Sequence, residues 1–485
     1  MIDSAGEDPS RLVVVVGAGP AGLTAAYDAC RAGMKVAVLE QTGVVGGISQ
    51  TASYRGYRFD IGGHRFFTKV REVEAMWREV LGDRFLRVRR LSRIHYKGRF
   101  FHYPLRPMNA LVNLGVLTSL GCVASYLWTR VFPCRPENHF EAWVSNRFGR
   151  RLFRIFFKTY TEKVWGIPCA KIQAEWAAQR IKGLSLWKAI YDALFKPRRK
   201  ETSLIEEFDY PEFGPGQMWE AVRDRVVALG GDVAMNAPVI EWRHDGTRVT
   251  SVLARVPGGV REVAGAQFLS SAPIRELAHA LRPAAPQEVL DAADRLHYRD
   301  FLVVCLVIRA EKLFPDNWIY IHSPEVRVGR IQNFKNWSPK MVPDPSRTCL
   351  GMEYFCFEGD DLWTEKDERL VALATEELGR LGLADPALVE DGAVVRMPKA
   401  YPVYDEGYRE ALAAVRRYLE RFGNLQLVGR NGLHRYNNQD HSMLTAMLAI
   451  RNLRGERHDL WEVNAEQEYH EEGRVQDRLV PKKVA

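Results

Sequence analysis

The stretch that decides the fold is Leu12–Glu40, LVVVVGAGPAGLTAAYDACRAGMKVAVLE. It begins with an apolar, largely β-branched run that is typical of a strand buried on both faces. A glycine-rich turn, a helical pattern and a second apolar run, Lys35–Leu39, follow directly. Strand, turn, helix and strand within about 30 residues predict a β-α-β unit of a parallel sheet. We therefore expect an α/β protein whose first domain is of the Rossmann type.

The turn after the first strand has the full pattern G-x-G-x-x-G, from Gly17 to Gly22. The first glycine permits a tight turn, the second lets the backbone approach a pyrophosphate, and the third lets the helix pack on the strand. The helix N-terminus then faces the negative charge. Glu40 ends the second strand, where a carboxylate binds a ribose hydroxyl. These features in register predict a dinucleotide site rather than a purely structural turn.

Two further glycine pairs follow along the chain. Gly46 and Gly47 lie in VVGGISQT, and Gly62 and Gly63 precede His64 in DIGGHRFFT. Two flexible glycines before a histidine indicate that the backbone passes close to a flat ring, although His64 is equally compatible with a structural role. The sequence has no second G-x-G-x-x-G unit, so a nicotinamide cofactor would bind only transiently.

Three further regions surround this unit. Helical periodicity dominates from about 90 to 215, and strand patterns dominate from Phe301 to Phe357. The run Asn424–Val428, NLQLV, resumes the first domain. The predicted domains are a discontinuous dinucleotide-binding domain (10–90, 215–275 and 395–460), a helical substrate domain (91–214), an antiparallel-sheet substrate domain (276–394) and a charged tail (461–485).

The composition narrows the class of function. A formal net charge of +8 favours acidic ligands or anionic lipid as partners. No nucleic-acid signature and no Cys/His spacing of a metal site occurs, so we expect neither partner. The seven cysteines are odd in number and form no C-x-x-C motif, and the polar N-terminus is unlike a signal peptide. We therefore expect a cytoplasmic protein.

One segment, Ala110–Trp128, reads ALVNLGVLTSLGCVASYLW and has no charged residue. Its length approaches that of a membrane span, but Asn, Ser, Thr and two glycines dilute its apolar character. We predict a buried helix of the helical domain. The alternative is a helix that lies against a membrane surface.

The stretch Gly429–Met443, GRNGLHRYNNQDHSM, follows a strand pattern and precedes a helical one. Its polar residues exceed what one helix cap requires, since a single Ser, Thr, Asn or Asp serves that purpose. We therefore predict that this strand end and helix start form part of a binding site, with Arg430 and Tyr436 upstream of the cap.

Several separated motifs resemble the UDP-galactopyranose mutase family, within the larger group of FAD proteins that includes protoporphyrinogen oxidase. The likeness covers most of the chain, but Lys182 stands where the family has a proline. The motifs are DIGGHRFF, YTEKVWG at Tyr160–Gly166, the pair Arg180-Ile181, GRIQNFKNWSP with Arg330, AYPVYD with Tyr401 and Tyr404, and the run from Gly429-Arg430 to Ser442.

The resemblance implies that the dinucleotide is FAD, because VVGGISQT is similar to the second part of the FAD fingerprint in these proteins. It also implies that the helix start at Asn438 lies under the flavin and stabilises the anionic reduced ring. The expected FAD-binding residues are Gly17, Gly19, Pro20, Ala21, Gly22, Glu40, Gln41, Gly46, Gly47, Gly62, Gly63, His64, Gly429, Arg430, Asn438, Gln439, Asp440 and Ser442.

The reaction that the resemblance implies interconverts the pyranose and furanose forms of a nucleoside-diphosphate sugar, in a polysaccharide or glycoconjugate pathway. Reduced FAD bonds to the sugar through N5 while the diphosphate leaves, with no net redox change. The diphosphate needs fixed cations, which favours arginine. The expected substrate-binding residues are Tyr160, Trp165, Arg180, Arg330, Tyr401, Tyr404, Arg430 and Tyr436. The expected catalytic residues are His64, Arg330, Arg430, Tyr436 and Asn438.

Two other functions compete with the mutase. The first is an FAD-dependent oxidase or desaturase of the protoporphyrinogen oxidase-like group, acting on an apolar or lipid-linked substrate. The apolar segment Ala110–Trp128 keeps it open, whereas the arginines oppose an amine substrate. The second is a non-enzymatic binding module, which the complete dinucleotide site makes less favourable.

Overall fold

The computed structural model describes residues 9–103, 105, 107–174 and 207–464. Its centre is a five-stranded parallel sheet with Leu12–Val16 as the middle strand, and every residue of this strand is buried. Side chains alternate along it, so that Val13 and Val15 enter one core while Val14 enters the core on the other face. The strand order is Leu425–Leu427, Gln267–Ser270, Leu12–Val16, Lys35–Leu39 and Asp232–Ala234.

Helices cover both faces of this sheet, as a parallel sheet requires. The predicted α/β, Rossmann-type fold is therefore confirmed. One face carries Pro20–Arg31, Arg71–Leu81, Gly216–Ala228 and Gln439–Leu453, and the other carries Ile274–Ala280, Gln287–Asp294 and Tyr408–Leu419. A four-stranded sheet lies beside the second group, in the order Gly259–Ala264, Val249–Val256, Val239–His244 and Leu281–Arg282.

A second large sheet has seven strands and is antiparallel except for the parallel pair Trp318–Ile321 and Ser92–Tyr96. Its second and third strands, Tyr298–Ile308 and Thr348–Cys356, are buried at every residue. The helix Asp367–Arg380 packs on one face of the sheet. The strand order is Val389–Pro402, Tyr298–Ile308, Thr348–Cys356, Arg330–Asn333, Trp318–Ile321, Ser92–Tyr96 and Arg99–His102.

The helical region stands at the far edge of this sheet. Its helices share a core of aromatic residues that includes Phe140, Phe153 and Trp165. Two small antiparallel pairs, Thr51–Tyr54 with Tyr57–Asp60 and Phe85–Arg89 with Glu207–Pro211, complete the connections. The helices are Pro107–Leu114, Val116–Val131, Phe140–Phe148, Arg150–Phe153 and Thr159–Trp165, with the π-helical turn Arg154–Lys158 before the last. Short helices also occur at Phe334–Trp337, Asp361–Thr364 and Gly429–Gly432.

The sheets divide the chain differently from the predicted boundaries. Ser92–Tyr96 and Arg99–His102 belong to the seven-stranded sheet, although 91–214 was expected to be helical. Strand Val389–Pro402 extends that sheet beyond 394, and the helices at 274–280 and 287–294 pack on the first core. Of the expected tail, Val463 is buried in the first core, and Arg435 binds the carbonyls of Trp461 and Val463.

The prediction of one buried helix over Ala110–Trp128 is wrong in two respects. Gly115, with φ +78°, separates Pro107–Leu114 from Val116–Val131. The large apolar side chains of the second helix are mostly exposed rather than buried. Among the helices of the described part of the chain, none combines the length and the apolar character that crossing a bilayer demands.

Candidate active site

The glycine turn lies at the carboxyl end of the parallel sheet. Gly17 has φ +99°, which permits its N–H to donate to the carbonyl of Leu39 at 2.8 Å. A Cβ on Gly22 would stand 1.8 Å from the Gly17 carbonyl oxygen. The tight turn and the close helix–strand packing thus both depend on glycine, and Pro20 occupies the first position of the helix that follows.

A second glycine turn faces the first. The N–H of Gly46 donates to the carbonyl of Ala18 at 2.9 Å, and Gly47 has φ +53°. A Cβ on Gly47 would lie 3.4 Å from the Cα of Gly19. The two bare backbones therefore form a cradle that any larger side chain would fill, and this cradle fits a diphosphate bound by backbone N–H groups. We call Gly17–Gly22 with Gly46 and Gly47 the glycine cradle.

Glu40 is buried beside this cradle. Its carboxylate accepts from the N–H of Ala18 at 2.7 Å and from the N–H and hydroxyl of Thr42 at 2.9 Å each. A carboxylate has about four acceptor positions, so capacity remains for a ribose hydroxyl. The neighbouring Gln41 is exposed. Gly429, with φ +81°, packs close to Ala21, where a Cβ would approach to 2.9 Å, and this brings the 429–443 stretch to the cradle.

His64 lies beyond the cradle and is neutral at pH 7. Burial, followed by the positive charges of Arg430 and Arg330, lowers the pKa of His64 to about 4. Its Nε2 lies 3.0 Å from the carbonyl oxygen of Ile61, which can only accept, so Nε2 carries the proton. Nδ1 is then an acceptor, 3.4 Å from the Ser49 hydroxyl.

The two glycines before His64 differ in their surroundings. Gly62 has φ +90°, a conformation that L side chains rarely adopt. Gly63 is exposed, and a Cβ there would lie 3.1 Å from Nε2 of Gln332 and 3.3 Å from Trp337. The segment therefore brings bare backbone against the seven-stranded sheet.

The start of helix Gln439–Leu453 is the third side of the site. Asn438 is its N-cap residue, and its N–H donates to Nδ1 of His441 at 3.3 Å. Gln439 donates through Nε2 to the carbonyl of Arg65, while its Oε1 is buried with no donor in the described parts of the chain. Asp440 and Ser442 are buried in the first turn. The positive end of a long helix and a buried amide acceptor thus fit a planar anionic ring that carries an N–H group.

The seven-stranded sheet supplies a buried cation. Arg330 lies directly across from Glu353 on the neighbouring strand and binds it through Nε. The Glu353 side chain is fully buried, and it also accepts from Nε2 of Gln332 at 2.8 Å. Arg330 donates through Nη2 to the hydroxyl of Tyr401 at 3.2 Å. Two of its five N–H donors are thus used, which leaves three for a ligand.

Arg430 reaches the other side of Tyr401. Its guanidinium lies 5.4 Å from the ring centre of Tyr401 and 4.8 Å from that of Tyr436. Nε and Nη1 donate to the carbonyls of Asn437 and Ala400, at 2.9 Å each. Within the described residues, no carboxylate lies within 4 Å of this guanidinium, so its charge is not neutralised by a direct ion pair.

Aromatic rings enclose the two arginines. Tyr401 and Tyr436 stack with ring centres 5.6 Å apart and planes 13° from parallel. Trp165 is buried against both, with each pair of ring centres separated by 6.5 Å. Tyr160 stacks on His322 at 4.8 Å and is close enough for the charge of Arg330 to affect its pKa. Burial nevertheless raises the pKa of Tyr160 well above its usual range, so it stays protonated.

One expected substrate residue, Tyr404, does not join this group. The hydroxyl of Tyr404 accepts from the N–H of Tyr436 at 2.6 Å, so Tyr404 supports Tyr436 from behind. Arg180 lies outside the described residues, as does Ile181. The structure brings together Arg330, Arg430, Tyr401, Tyr436, Trp165, Tyr160 and His64, which come from five separate parts of the sequence.

Glu353 and Gln332 are site residues that the sequence motifs did not identify. The available signal was Glu353 itself, a charged residue in the otherwise apolar run CLGMEYFCF. Buried carboxylates are rare without a partner, so such a residue predicts a cation on a neighbouring strand. The assembled site can therefore hold a dinucleotide in the glycine cradle and an anionic substrate between Arg330 and Arg430.

Comparison with known proteins supports this architecture. Residues 15–80 match a family model described as an NAD(P)-binding Rossmann-like domain. A crystal structure of reduced UDP-galactopyranose mutase is 21% identical, with a TM-score of 0.79 over 92% of this chain and 96% of that chain. A putative protoporphyrinogen oxidase from Exiguobacterium sp. 255-15 is 18% identical, with a TM-score of 0.67 over 92% and 99% of the two chains.

A CLA-producing fatty acid isomerase from P. acnes is 15% identical, with a TM-score of 0.57 over 91% of this chain and 98% of that chain. The TM-scores, over nearly the full length of each chain, establish a shared fold. The resemblance predicted from the motifs is confirmed at that level, since the solved proteins include the mutase and a protein described as an oxidase. The same fold therefore carries both isomerases and oxidases, and the chemistry has to be argued from the site.

Proposed function

We propose that the protein is a flavin-dependent mutase that interconverts the pyranose and furanose forms of a nucleoside-diphosphate sugar. The observation that carries this proposal is the position of Arg330 and Arg430 on either side of Tyr401, close to the glycine cradle. Two fixed guanidinium groups suit a diphosphate, because each planar fork makes paired hydrogen bonds and keeps its charge.

FAD fits the residues that surround this pair. The glycine cradle and Glu40 would hold the adenosine diphosphate half, and His64 with the Asn438 helix start would hold the ring. When bound in its reduced form, FAD supplies a nucleophilic ring nitrogen at the anomeric carbon, and the reaction changes no net oxidation state. The flavin would be reduced by a nicotinamide dinucleotide that binds transiently or by another reductant.

Arg330 is held for this task by Glu353. The buried carboxylate fixes one edge of the guanidinium and leaves its other N–H groups available to the diphosphate. As the bond between the anomeric carbon and the diphosphate breaks, negative charge grows on the departing oxygen. Donors that are already oriented stabilise that charge without reorganising, which lowers the barrier.

The aromatic residues restrict where the sugar lies. Trp165 and the stacked pair Tyr401–Tyr436 form a wall that excludes water from one side of the arginines. Excluding water strengthens each charge interaction inside the site. The Tyr401 hydroxyl, already bound to Arg330, is positioned to contact the diphosphate or a sugar hydroxyl.

The start of helix Gln439–Leu453 stabilises negative charge on the ring, and His64 remains neutral beside it. The neutral imidazole keeps its Nε2 proton on the Ile61 carbonyl, so it adds no cation that would compete for the diphosphate. The positive end of helix Gln439–Leu453 lies nearby and favours an anion. Asn438 orients that helix end and is a positioning residue in this proposal.

The activity test compares the two redox states of the same protein. The purified protein is reduced with dithionite and incubated with UDP-galactose and other nucleotide sugars, and the products are separated by chromatography. We expect ring-isomerised product only with reduced flavin, and no stoichiometric use of the reductant. Product formed equally well with oxidised flavin would overturn the proposal.

A matched pair of variants tests the diphosphate site. Arg330→Lys keeps a cation but loses the paired donors, and we expect nucleotide-sugar binding to weaken about a hundredfold while flavin is retained. Arg327→Lys is the control, because Arg327 pairs with Asp361 on the exposed side of the same region. Calorimetric titration with UDP measures both, and equal affinities would remove Arg330 from the site.

The glycine cradle has its own test. A Cβ on Gly19 would meet nothing closer than 3.8 Å, so Gly19→Ala fits the protein without a bound ligand. We expect normal folding but loss of most bound flavin, since the methyl group would occupy the space of the diphosphate. Gly43→Ala, in the adjacent loop, should keep its flavin. The ratio of visible to ultraviolet absorbance of the purified variants measures flavin content.

One observation favours a second candidate, an FAD-dependent oxidoreductase that acts on an apolar or lipid-linked substrate. The helix Val116–Val131 presents large apolar side chains to the surface, and a putative protoporphyrinogen oxidase has the same fold. This function predicts oxygen consumption or reduction of the flavin by substrate. Starting from oxidised flavin, a substrate drives neither process in a redox-neutral mutase, so an oxygen electrode together with the visible absorbance of the flavin separates the two candidates.

A further inference from the structure

The helix Val116–Val131 exposes most of its large apolar side chains and buries several of its small polar ones. Leu117 is 85% exposed and Trp128 is 61% exposed, whereas Thr129 is only 1% exposed. Surface helices of globular proteins normally turn their apolar stripe to the core. The exposed apolar residues are Val116, Leu117, Leu120, Val123, Leu127, Trp128 and Val131.

The opposite face of this helix is already packed. Ser119, Cys122, Tyr126 and Thr129 are buried at helical spacing against the rest of the helical region. Thr129 also donates to the carbonyl of Ser125 at 2.7 Å. The helix therefore has its core contact, and its exposed apolar stripe is a second, separate face.

The stripe continues past both ends of the helix. Val112 precedes it and Phe132 follows it, each more than half exposed. The rings of Trp128 and Phe132 are in contact, with centres 4.6 Å apart. Most of the exposed large apolar residues of the described chain lie in this one area. A contiguous patch of this kind marks an interaction surface, unlike single exposed residues. We call residues 112–132 the apolar face.

The charges along the apolar face are positive as far as Pro136, after which Glu137 pairs with Arg147. From Tyr103 to Pro136 the sequence contains three arginines and no aspartate or glutamate. Arg130 is exposed on one flank of the helix. On the other flank Arg151 lies across Gly121, where a Cβ would stand 2.2 Å from its guanidinium nitrogen, and its N–H donates to the Ser125 hydroxyl. Arg135 and Arg150 are also exposed beyond the helix end.

We propose that the apolar face docks on the surface of a membrane that contains anionic lipid, with the helix parallel to the membrane plane. An apolar stripe between two cationic flanks matches the layered structure of a bilayer surface, in which anionic headgroups lie above the acyl boundary. Trp128 and Phe132 suit the level of the headgroups. The proposal does not depend on the chemistry of the active site.

This helix is too short to span a membrane. Sixteen residues at 1.5 Å per residue measure about 24 Å, which is less than the roughly 30 Å of a hydrocarbon core. The buried Ser119 and Thr129 also belong to a polar side that lipid would not accept. An in-plane helix leaves that side against the protein and buries only the outward stripe.

Charge also argues against the other possible occupants. A two-fold dimer through the apolar face would bring each arginine flank against its own copy, and like charges would face each other. Residues 175–206 contain more Lys and Arg than Asp and Glu, so this part of the chain has the same sign as the flanks. Residues 465–485 are close to balanced in charge. An anionic lipid surface complements both the apolar stripe and its cations.

Vesicle flotation with the full-length purified protein tests the proposal. We expect the protein to float with phosphatidylcholine vesicles that contain phosphatidylglycerol and to float far less with phosphatidylcholine alone. The binding should weaken at high salt, since screening acts on the cation contribution. Full-length protein that stays at the bottom of the gradient with both vesicles overturns the proposal.

Two sets of variants separate the apolar and the cationic contributions. The triple variant Leu117→Gln/Leu120→Gln/Leu127→Gln keeps helix propensity and should weaken vesicle binding by at least about tenfold. Arg130→Gln/Arg151→Gln should cost about tenfold on anionic vesicles and nothing on neutral ones. The matched control Val227→Gln/Leu229→Gln/Val260→Gln replaces exposed apolar residues elsewhere and should bind as the unchanged protein does.

Two further outcomes would reassign the apolar face. If the protein is a dimer in solution and the leucine variant is a monomer, a second copy occupies the face and the membrane proposal is wrong. If chemical cross-links join the face to residues 465–485, the chain covers its own patch and the proposal is again wrong. Flavin content and thermal unfolding of each variant show that a loss of binding does not reflect misfolding.

Discussion

Two regions of the molecule break the ordinary rule of burial, in opposite directions. In the seven-stranded sheet, Arg330 and Glu353 form an ion pair whose carboxylate is fully buried. In the helix Val116–Val131, leucines and a tryptophan stand in solvent while Ser119 and Thr129 are buried. Charge inside and apolar surface outside both oppose the hydrophobic effect. Folding alone therefore explains neither region, and each points to a ligand.

The two departures differ in how strongly the protein depends on them. A buried ion pair is expensive to form and more expensive to break, because removing one partner leaves the other charge without compensation. An exposed leucine contributes almost nothing to folding, so its replacement is nearly neutral. The comparison thus predicts large effects on stability at the ion pair and negligible ones on the exposed helix face.

Glu353→Ala is the change with the largest expected effect. It leaves the Arg330 guanidinium and the Gln332 amide without their acceptor inside the sheet. We expect a loss of about 3–5 kcal/mol in the free energy of unfolding. Urea denaturation followed by circular dichroism measures it. Glu390→Ala is the control, since Glu390 pairs with Arg347 near the surface and should cost less than about 1 kcal/mol.

The double variant Arg330→Met/Glu353→Leu separates stability from function. Replacing both charges by apolar groups of similar size removes the desolvation cost together with the attraction, so much of the lost stability should return. Binding of the nucleotide sugar should not return, because the cation is gone. A double variant that still binds UDP as tightly as the unchanged protein would show that the buried pair serves the sheet alone.

The sequence predicted the first sheet well because its signals are local. The run Leu12–Val16, the glycines and Glu40 are fixed by spacing over a short stretch, and the structure has them in that arrangement. The strands Ser92–Tyr96 and Arg99–His102 were missed, although they pair with each other as a local hairpin. The partner that joins this hairpin to the sheet, Trp318–Ile321, pairs with Ser92–Tyr96 and lies more than 200 residues away. Strand pairing over such separations leaves no periodic trace in the local sequence.

The sequence also predicted the candidate site only in part. The motifs identified Arg330, Arg430 and Tyr401, which the structure brings together, but gave Tyr404 the same role as Tyr401. Tyr401 lies in the strand Val389–Pro402 and its hydroxyl accepts from Arg330. Tyr404 lies after the strand ends, and its hydroxyl accepts from the N–H of Tyr436 instead. The apolar segment Ala110–Trp128 has no charged side, so its periodicity cannot tell which side faces solvent.

The next prediction concerns the pH dependence of stability and the buried His322, whose ring stacks on Tyr160. Burial, with the charge of Lys163, lowers the pKa of His322 to about 3. Between about pH 3 and pH 6.5 this side chain therefore binds fewer protons in the folded protein than in the unfolded chain, so its contribution to stability falls as the pH drops through that range. Removing this group should make the protein less sensitive to acid.

His322→Phe keeps the stack on Tyr160 and abolishes the titration. Between pH 7 and pH 4 the unchanged protein should lose about 3 kcal/mol more stability than the variant. Asp28 and Asp60, whose pKa values burial raises to about 6 and about 7, act in the opposite direction but are common to both proteins. Equal acid sensitivity of the two proteins would mean that His322 is not buried.

A smaller effect is expected for Tyr404, which supports the backbone of Tyr436. Tyr404→Phe removes the acceptor of the Tyr436 N–H and should cost about 1 kcal/mol of stability. The ring of Tyr436 would lose part of its support beside Arg430, so we expect KM for the sugar nucleotide to rise a few-fold with little change in kcat or flavin content. The neighbouring Tyr408→Phe is the control. A large fall in kcat would instead give Tyr404 a direct role in catalysis.

The smallest effect belongs to the apolar face, and it completes the comparison. Leu117→Gln/Leu120→Gln/Leu127→Gln should change the free energy of unfolding by no more than about 0.5 kcal/mol, because these side chains are exposed and glutamine has similar helix propensity. Tyr126→Ala, on the buried side of the same helix, should cost about 3 kcal/mol. If the three leucines prove as important for folding as Tyr126, they are covered by the protein itself in solution. If the three leucines contribute little to folding, binding of the helix to a partner surface is the remaining reason for apolar side chains at these exposed positions.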